Sequence, residues 1–293
     1  MEITRLSAQC ITCLLDKHIN NIPPETNEET RLLYMQKMLK ILAEAPKTQS
    51  APEVLEKIVR LQTELFGTPE GFSEIKSYFN GQMQKKVPGI REKIGSAKDA
   101  LRLAVGYAML GNFIDFGAMD SVDEEKLQSM IDNAENMEFD LVELDNLKSD
   151  LCAARRLVYL TDNCGEIVFD KLLIETLLML YPALQIDVIV RGAPVLNDAT
   201  MEDALQVGLQ ELVRVTDNGT AVAGTCLHAI SAEAKRCIDD ADVMLAKGQG
   251  NFETLRYCRK NIYYIFMCKC AMFAKRFGVE RFSPMLLNDL RMQ

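Results

Sequence analysis

The sequence of 293 residues lacks several features that would assign it to common classes of protein. No run approaches the roughly 20 apolar residues of a membrane-spanning helix, and the opening MEITRLSAQC lacks the apolar core of a secretory signal peptide. Basic residues are outnumbered, so the net charge of -9 disfavours broad binding to nucleic acid or anionic membrane. These features argue against a membrane-spanning protein, a secreted protein and a nucleic-acid-binding protein, but they leave open a local basic pocket for a small phosphate.

Several catalytic and nucleotide-binding signatures are also missing. The sequence has only two histidines, His18 and His228, and neither has a spacing that favours a Cys–His dyad. No phosphate-binding P-loop of the Gly-Lys-Ser/Thr kind is present. After Gly248 and Gly250, Glu253 stands where a dinucleotide fingerprint would have its third glycine. These absences argue against a P-loop enzyme and against a dinucleotide-binding enzyme.

The hydrophobic content of 48% is enough for a substantial core. The pattern of apolar residues along the chain changes near residue 150. Before that point the apolar residues recur with helical periodicity. The predicted helices are Ile3–Ile19, Asn27–Ala45, Ala51–Phe66, Phe72–Glu92, Ala97–Leu110, Asp123–Asn133 and Leu141–Cys152. We predict an all-helical N-terminal region over residues 1–150.

From residue 155 onward, strands alternate with helices. The predicted strands are Arg155–Leu160, Gln185–Val190, Glu211–Val215, Ala241–Ala246 and Ile262–Phe266. The predicted helices are Glu166–Tyr181, Ala199–Val207, Cys226–Cys237 and Cys270–Phe277. This alternation requires right-handed βαβ crossovers and a layered α/β arrangement. We predict an α/β domain over residues 151–293, with the helical region packed on it.

Polar clusters follow four of these strands. In chain order they are Thr161-Asp162-Asn163, Arg191 to Asn197-Asp198, Thr216-Asp217-Asn218-Gly219, and Lys247-Gly248-Gln249-Gly250-Asn251. Ligands bind outside the carboxyl ends of the strands in an open parallel sheet. Asp beside Asn is an oxygen-donor pairing that suits a hard divalent cation. The sequence therefore predicts a site for a metal and an anion at these strand ends.

Each cluster also has a simpler interpretation. Asp162 or Asn163 could merely cap the helix that begins near Glu166. Asn197-Asp198 repeats the arrangement after the next strand, which favours the metal interpretation over capping. Lys247 could neutralise a phosphate oxygen from a flexible, glycine-rich loop that enters a helix, or it could be a surface lysine in an ordinary turn.

Other polar residues and the cysteines leave similar alternatives. Asn112 and Asp115, bracketed by glycines at the end of an apolar helix, could close the site or satisfy the helix end. Cys10 and Cys13 share a helix face and could ligate zinc with Cys268 and Cys270, although core packing is the commoner fate of such cysteines. Nine dispersed cysteines favour reduced thiols in a cytoplasmic protein, and we interpret Cys164 as a packing residue.

These motifs resemble the damage-control phosphatase family, also known as domain of unknown function 89 and as acidic-residue-methyltransferase-like. The resemblance rests on residues 161–170, Asn197-Asp198-Ala199-Thr200, residues 247–255 and residues 111–117. The Cys10/Cys13 pair resembles the mark of the family's microbial stand-alone subgroup. The resemblance implies a three-layer α/β/α domain with a mostly parallel sheet, a helical N-terminal region, and a divalent metal at the strand ends.

The resemblance also implies roles for individual residues. Asp162 and Asn163 match the family's metal-binding Asp-Asn pair, and Asp198 matches its second metal-binding Asp. Lys247 and Asn251 match its anion-binding loop, and Arg191 stands where the family varies between Arg and Lys. Family members are associated with hydrolysis of phosphate monoesters, including sugar phosphates and damaged phosphometabolites. The implied partner is a small phosphorylated metabolite.

The resulting hypothesis is metal-assisted hydrolysis of phosphate monoesters, with Mg²⁺, Mn²⁺, Co²⁺ or Ni²⁺ as cofactor. Asp162, Asn163 and Asp198 would hold the metal. Lys247, with Arg191, would stabilise the charge of the transition state. Other roles are assigned to four further residues: Asn112 and Asn251 would orient substrate oxygens, and Asp115 or Glu166 would take the proton of the attacking water, unless the metal alone suffices to activate it.

Three alternatives remain open at this stage. Asp162 could attack phosphorus directly, although Cys164, not a second Asp, stands two residues later. The chain could be a carboxyl methyltransferase that uses S-adenosylmethionine, although no glycine-rich loop after the first strand supports a nucleoside site. It could also be a non-catalytic, metal-dependent protein that binds a phosphorylated metabolite. The sequence makes no prediction of oligomeric state.

Overall fold

A six-stranded sheet lies at the centre of the C-terminal half of the chain. The computed structural model describes residues 5–67, 72–112 and 124–292. The strands of the sheet are β1 (Arg156–Leu160), β2 (Gln185–Val190), β3 (Arg214–Asp217), β4 (Val243–Lys247), β5 (Ile262–Met267) and β6 (Pro284–Asn288). They are ordered β3-β2-β1-β4-β5-β6, with all neighbours parallel except the antiparallel pair β5 and β6. The expectation of a mostly parallel α/β sheet is confirmed.

Helices precede the sheet in the chain and then connect its strands. The N-terminal helices are α1 (Ala8–Asn20), α2 (Glu28–Glu44), α3 (Ala51–Phe66), α4 (Phe72–Gln84), α5 (Val87–Ser96), α6 (Ala100–Gly111), α7 (Glu124–Asp132) and α8 (Leu141–Ala153). The later helices are α9 (Glu166–Leu180), α10 (Met201–Val207), α11 (Ala232–Asp240), α12 (Gly248–Leu255) and α13 (Ala271–Phe277). None of the described helices combines the length and apolar character needed to cross a membrane.

The sheet is covered on both faces, which gives the three layers. Successive side chains of a strand point to opposite faces. Leu157 and Tyr159 of β1 therefore join one core cluster, which includes α6 and α9. Val158 and Leu160 join another cluster, which includes α11, α12 and α13. This arrangement confirms the expected α/β/α architecture.

The helical half of the chain contributes to two cores. Helices α1, α2 and α3 enclose a cluster of their own around Tyr34, Met38 and Ile58. By contrast, α6 is almost wholly buried and packs against α9, in the core cluster that covers one face of the sheet. The packing of α6 carries Asn112, which directly follows that helix, to the carboxyl edge of the sheet. The division of the chain at residue 150 stays a prediction.

Two elements of the helical half begin or end differently from the sequence prediction. The region Phe72–Glu92, predicted as one helix, forms α4 and α5 with a break at residues 85–86. Proline lacks a backbone N–H and is favoured in the first turn of a helix, so Pro88 suits the start of α5. Helix α1 begins at Ala8, because the Ser7 hydroxyl accepts the backbone N–H of Cys10 as an N-cap.

The α/β half differs from prediction mainly at its edges. The predicted strand Glu211–Val215 begins late, because Leu209–Glu211 is a 3₁₀ turn and β3 starts at Arg214. The predicted helix Cys226–Cys237 begins only at Ala232, where the Ser231 hydroxyl caps it. Strand β6 was not predicted. It opens with Pro284, and proline is tolerated in an edge strand because one side of that strand needs no ladder hydrogen bonds.

Candidate active site

Polar side chains from three strand ends meet at the carboxyl edge of the sheet. Asp162 and Asn163 follow β1, Arg191 and Asp198 follow β2, and Lys247 is the last residue of β4. All five are buried. Because β1 lies between β2 and β4, these strand ends are neighbours. The structure thus brings together the residues that the sequence predicted as ligands for a metal and an anion.

Backbone hydrogen bonds join the first two of these loops. The N–H of Ala199 donates to the carbonyl oxygen of Asp162 at 2.7 Å, and the N–H of Cys164 donates to the carbonyl oxygen of Asn197 at 2.8 Å. Asn163 and Asp198 form an isolated antiparallel bridge. The two loops therefore form one frame, and Cys164 is buried within it.

Arg191 lies between the two aspartates. Its Nε donates to Oδ2 of Asp198 at 2.6 Å, and its Nη2 lies 3.5 Å from Oδ1 of Asp162. Nη1 donates weakly to Oδ1 of Asn251 at 3.4 Å. Nη2 is buried and makes no hydrogen bond to the described residues. A buried N–H without a hydrogen bond is costly, so this donor has capacity to donate to an oxygen of a bound anion.

Asn112 enters the site from the helical half of the chain. Its Nδ2 donates to Oδ2 of Asp162 at 2.9 Å and to Oε2 of Glu166 at 3.0 Å. Its Oδ1 accepts the backbone N–H of Met267, which fixes the amide orientation. Asn112 therefore holds two carboxylates of the site at a defined separation. Asp115, the other residue predicted from this segment, lies outside the described residues.

Lys247 is present at the site, but its ammonium is already fully engaged. Nζ donates to Oε1 of Glu166 at 2.6 Å, to Oδ1 of Asp170, and to the carbonyl oxygen of Ala108 at 2.9 Å. The hydroxyl of Tyr159 donates to the same Oδ1 of Asp170 at 2.7 Å. An ammonium has three N–H donors, so this arrangement uses all of them.

The loop around Lys247 also differs from the sequence prediction. Helix α12 begins directly at Gly248, so no flexible loop separates β4 from the helix. Gly248 has a φ of +78°, a conformation that glycine adopts readily and that turns the strand directly into the helix. Lys247 is fully buried rather than on the surface.

Asn251 has a framework role in the described structure. Its Nδ2 donates to the carbonyl oxygens of Thr161 and Lys247, at 3.0 and 2.7 Å. Its Oδ1 accepts the hydroxyl of Thr225 at 2.8 Å. This fully buried amide ties the end of β1 to the end of β4. Asn218, from the polar cluster after β3, likewise joins two loops, because its Oδ1 accepts the backbone N–H of Thr220 in its own loop and that of Gly192 after β2.

Burial and like charges raise the pKa of Asp162 well above its usual value. Desolvation is the largest cause, followed by the neighbouring carboxylates of Glu166 and Asp198, while Arg191 acts in the opposite direction. The buried site contains four carboxyl groups and two basic groups, those of Arg191 and Lys247. The buried site therefore contains more carboxyl groups than basic groups, which favours the binding of a cation.

The chemistry of the donors fits such a cation. Asp162, Asn163 and Asp198 offer carboxylate and amide oxygens, the ligands that hard divalent ions prefer. Nδ2 of Asn163 now donates to Asp162 and Glu166, so metal ligation would require the amide to present Oδ1 instead. No group of three His, Cys, Asp or Glu side chains within residues 5–67, 72–112 and 124–292 is arranged to hold a metal. The predicted set contains only two such residues and an asparagine.

That result also bears on the cysteines. Among the described residues, Cys10 and Cys13 form no metal cluster with Cys268 and Cys270, so the zinc alternative has no support. Cys10 is half-buried and lies 3.2 Å, Sγ to Oγ, from Ser7, whereas Cys13 is exposed. The assignment of this pair to a microbial subgroup stays a prediction.

Sequence reasoning missed several residues of the site. Asp170 on α9 contacts Lys247, and Tyr159 on β1 contacts Asp170, but both lie within apolar runs. Lys76 and Asn80 reach the site from α4, and their contacts are more than 80 residues away in sequence. The available signal was a buried polar residue within an apolar pattern, which indicates a need for a partner without identifying it.

Comparisons with known proteins match nearly the whole chain. The model of the damage-control phosphatase ARMT1-like domain matches residues 6–284. A damage-control phosphatase of Pyrococcus horikoshii is 30% identical over 285 residues, which cover 94% of this chain and 96% of the relative. A damage-control phosphatase of Archaeoglobus fulgidus is 27% identical over 281 residues, covering 94% and 96% respectively.

A solved structure gives the same result for the fold. The crystal structure of a Pyrococcus horikoshii protein from the family with domain of unknown function 89 has a TM-score of 0.79 to this chain. The two are 26% identical, and the match covers 97% of this chain and 99% of the other. The chain therefore belongs to the damage-control phosphatase ARMT1-like domain family.

Proposed function

We propose that this protein is a divalent-metal-dependent phosphatase that hydrolyses small phosphate monoesters, such as sugar phosphates or damaged phosphometabolites. The observation that carries the proposal is the convergence of Asp162 and Asp198 on Arg191, with the buried Nη2 donor of Arg191 left without a hydrogen bond to the described residues. The names of the two damage-control phosphatases that the chain resembles support the same reaction class.

Asp162, Asn163 and Asp198 are the proposed holders of the metal, with Mg²⁺, Mn²⁺, Co²⁺ or Ni²⁺ as candidates. When bound, such an ion polarises a phosphoryl oxygen and increases the acidity of a water molecule. The hydrogen bonds that link the Asp162 and Asp198 loops would keep the ligands of the two strands together. A bound cation would favour the ionised form of Asp162 and so oppose the burial and the like charges that raise its pKa.

Arg191 is the proposed ligand for the phosphate. Nε holds Asp198, which leaves Nη2 as the donor for a phosphate oxygen. A fully buried guanidinium stabilises negative charge more strongly than one in water. Lys247 would act mainly by placing its positive charge beside Glu166 and Asp170. A direct contact with a phosphate would require its ammonium to break one of these two ion pairs.

The remaining residues would orient groups and accept a proton. Asn112 and Asn251 would keep the acidic loops and the strand ends in register, and Asn112 could redirect Nδ2 to a substrate oxygen. Glu166 is our candidate for the group that takes the proton from water, because Nδ2 of Asn112 bridges its Oε2 to Oδ2 of Asp162 and so places this carboxylate beside a proposed metal ligand. Asp115 stays a second candidate for this role.

Release of inorganic phosphate from metal-stripped protein tests the proposal. Mg²⁺, Mn²⁺, Co²⁺ or Ni²⁺ would be added back, with para-nitrophenyl phosphate and a panel of sugar phosphates as substrates. We expect a metal to restore turnover in the wild type but not in Asp162→Ala or Asp198→Ala. Asp239→Ala is the matched control, because Asp239 is a half-exposed carboxylate on α11 that pairs with lysines away from the site.

The outcomes separate the proposal from its rivals. Metal-restored turnover that persists in Asp162→Ala would contradict the assignment of Asp162 as a metal ligand. A wild type that binds phosphate esters with a metal-dependent rise in melting temperature, yet releases no phosphate, would favour a binding protein. Calorimetric titration with S-adenosylmethionine would reveal a methyltransferase.

A further inference from the structure

Two side chains of α4 reach both loops that carry the proposed metal ligands. Lys76 and Asn80 lie four residues apart, so they project from the same face of the helix. Nζ of Lys76 donates to the main-chain carbonyl oxygen of Asp198 at 2.7 Å. Oδ1 of Asn80 accepts the main-chain N–H of Gly165 at 2.6 Å. One turn of α4 therefore contacts the loop after β2 and the loop after β1.

The same two side chains also converge on Asp203, near the start of α10. Lys76 pairs with Oδ2 of Asp203 at 2.6 Å, and Nδ2 of Asn80 donates to Oδ1 at 2.9 Å. Asp203 is itself fixed, because Oδ2 accepts the backbone N–H of Thr200 in a capping box. The acceptor that both side chains share thus belongs to the helix that follows the Asp198 loop.

Burial makes this network rigid. Lys76, Asn80 and Asp203 are 8%, 0% and 4% exposed, so solvent has little access to their hydrogen bonds. A buried polar network that is fully satisfied holds one arrangement, whereas loss of one member leaves its partners unsatisfied. The separation between Gly165 and the Asp198 carbonyl is therefore set by the geometry of α4 and not by the loops alone.

We propose that Lys76 and Asn80 are positioning residues that fix the Asp162-Asn163 loop relative to the Asp198 loop and so determine the affinity of the metal site. This inference rests on the proposed metal-dependent function. Neither side chain needs to contact metal or substrate, since each acts on the main chain beside a proposed ligand. Residues that orient metal ligands in this way typically contribute about 10- to 100-fold to metal affinity.

Helix α4 also provides a control residue for the effect of merely weakening its packing against α10. Gln84 lies one turn beyond Asn80 and donates to the main-chain carbonyl of Gln206 in α10 at 3.2 Å. It belongs to the same helix pair but has no described contact with the loops after β1 and β2. Gln84→Ala therefore removes an α4–α10 hydrogen bond without touching the proposed ligands.

The first test is calorimetric titration of Mn²⁺ into the metal-stripped full chain. Lys76→Met and Asn80→Ala should each raise the Mn²⁺ Kd at least about tenfold. Gln84→Ala should match the wild type. Ile58→Ala, which opens a cavity in the separate N-terminal cluster, supplies a destabilised protein whose Mn²⁺ affinity should also be unchanged. The melting temperature of each metal-free variant records the purely structural effect.

The second test is hydrogen exchange of the metal-free proteins. Exchange across residues 161–166 and 195–200 should be faster in Lys76→Met and Asn80→Ala than in the two controls. Wild-type protein that binds no Mn²⁺ would overturn the proposed metal site and this inference with it. Wild-type affinity in both α4 variants would overturn this inference alone, as would an equal loss of affinity in the Ile58→Ala control.

Discussion

A β-carbon placed on Gly248 would lie 1.9 Å from Oδ2 of Asp162. No side chain can occupy that space, so the start of α12 and the end of β1 approach this closely only because residue 248 is a glycine. Gly248 also has a φ of +78°, which disfavours other residues. The missing side chain thus leaves room for the carboxylate that we propose as a metal ligand.

Gly248→Ala should therefore abolish metal-dependent phosphate release, because the new methyl group must displace Asp162 or move the start of α12. We expect a loss as large as that in Asp162→Ala, measured with the same phosphate-release assay. The metal-free melting temperature should also fall, since backbone strain of this kind costs about 1–3 kcal/mol.

Gly278→Ala is the matched control for this substitution. Gly278 has a φ of +68°, but a β-carbon there would meet no atom within 4 Å. The control carries similar backbone strain without a steric clash, so it should lower the melting temperature and keep full activity. Equal activity in the two variants would show that the contact with Asp162 does not matter.

Lys247 should be a major source of stability, because its single ammonium is hydrogen-bonded to two buried carboxyl groups. Lys247→Met keeps most of the side-chain volume but leaves Glu166 and Asp170 without their cation. Removing one partner of a buried ion pair typically costs about 3–5 kcal/mol. We expect a loss of that order in the free energy of unfolding, measured by urea denaturation of the metal-free protein.

Two further variants define the origin of that loss. Lys148→Met breaks a partly exposed pair with Asp99 and should cost no more than about 1 kcal/mol. Lys247→Met combined with Asp170→Asn should recover part of the lost stability, because one fewer buried carboxylate then lacks a partner. A Lys247→Met protein as stable as the Lys148→Met protein would contradict the buried charge network.

The strand ends could be predicted from the sequence because each motif is local. Asp162-Asn163 and Asp198 directly follow apolar strands, and a parallel sheet places such strand ends side by side. The partners of Lys247 could not be predicted. Asp170 lies on α9, and whether it faces the sheet depends on how that helix packs, which the apolar pattern around it does not specify.

The contacts that α4 makes with the site could not be predicted from the sequence, for a related reason. Lys76 meets Asp198 across 122 residues of chain, and such a contact follows from tertiary packing alone. Periodicity predicts that α4 exists and has a buried face, but Lys76 and Asn80 are polar and would be assigned to the solvent side. The boundaries of β3 and the existence of β6 were missed because 3₁₀ turns and short edge strands give weak patterns.

Asp170 should make the stability of the metal-free protein depend on pH near neutrality. Burial raises its pKa to about 7, with Glu166 adding to the rise and Lys247 opposing it. The folded state therefore retains a proton that the unfolded state, with a pKa of 3.8, has already lost. The stabilisation from this proton is complete below about pH 4 and is lost as the pH rises through 7.

The comparison of wild type with Asp170→Asn isolates this effect. The amide keeps the volume and an acceptor for Tyr159 and Lys247 but does not titrate. Between pH 5 and pH 8, urea denaturation with a chelator present should show the wild type losing up to about 3 kcal/mol more than the variant. Asp162 titrates in both proteins, so its contribution largely cancels. Parallel pH profiles would mean that Asp170 is ionised throughout this range and that Lys247 outweighs its burial.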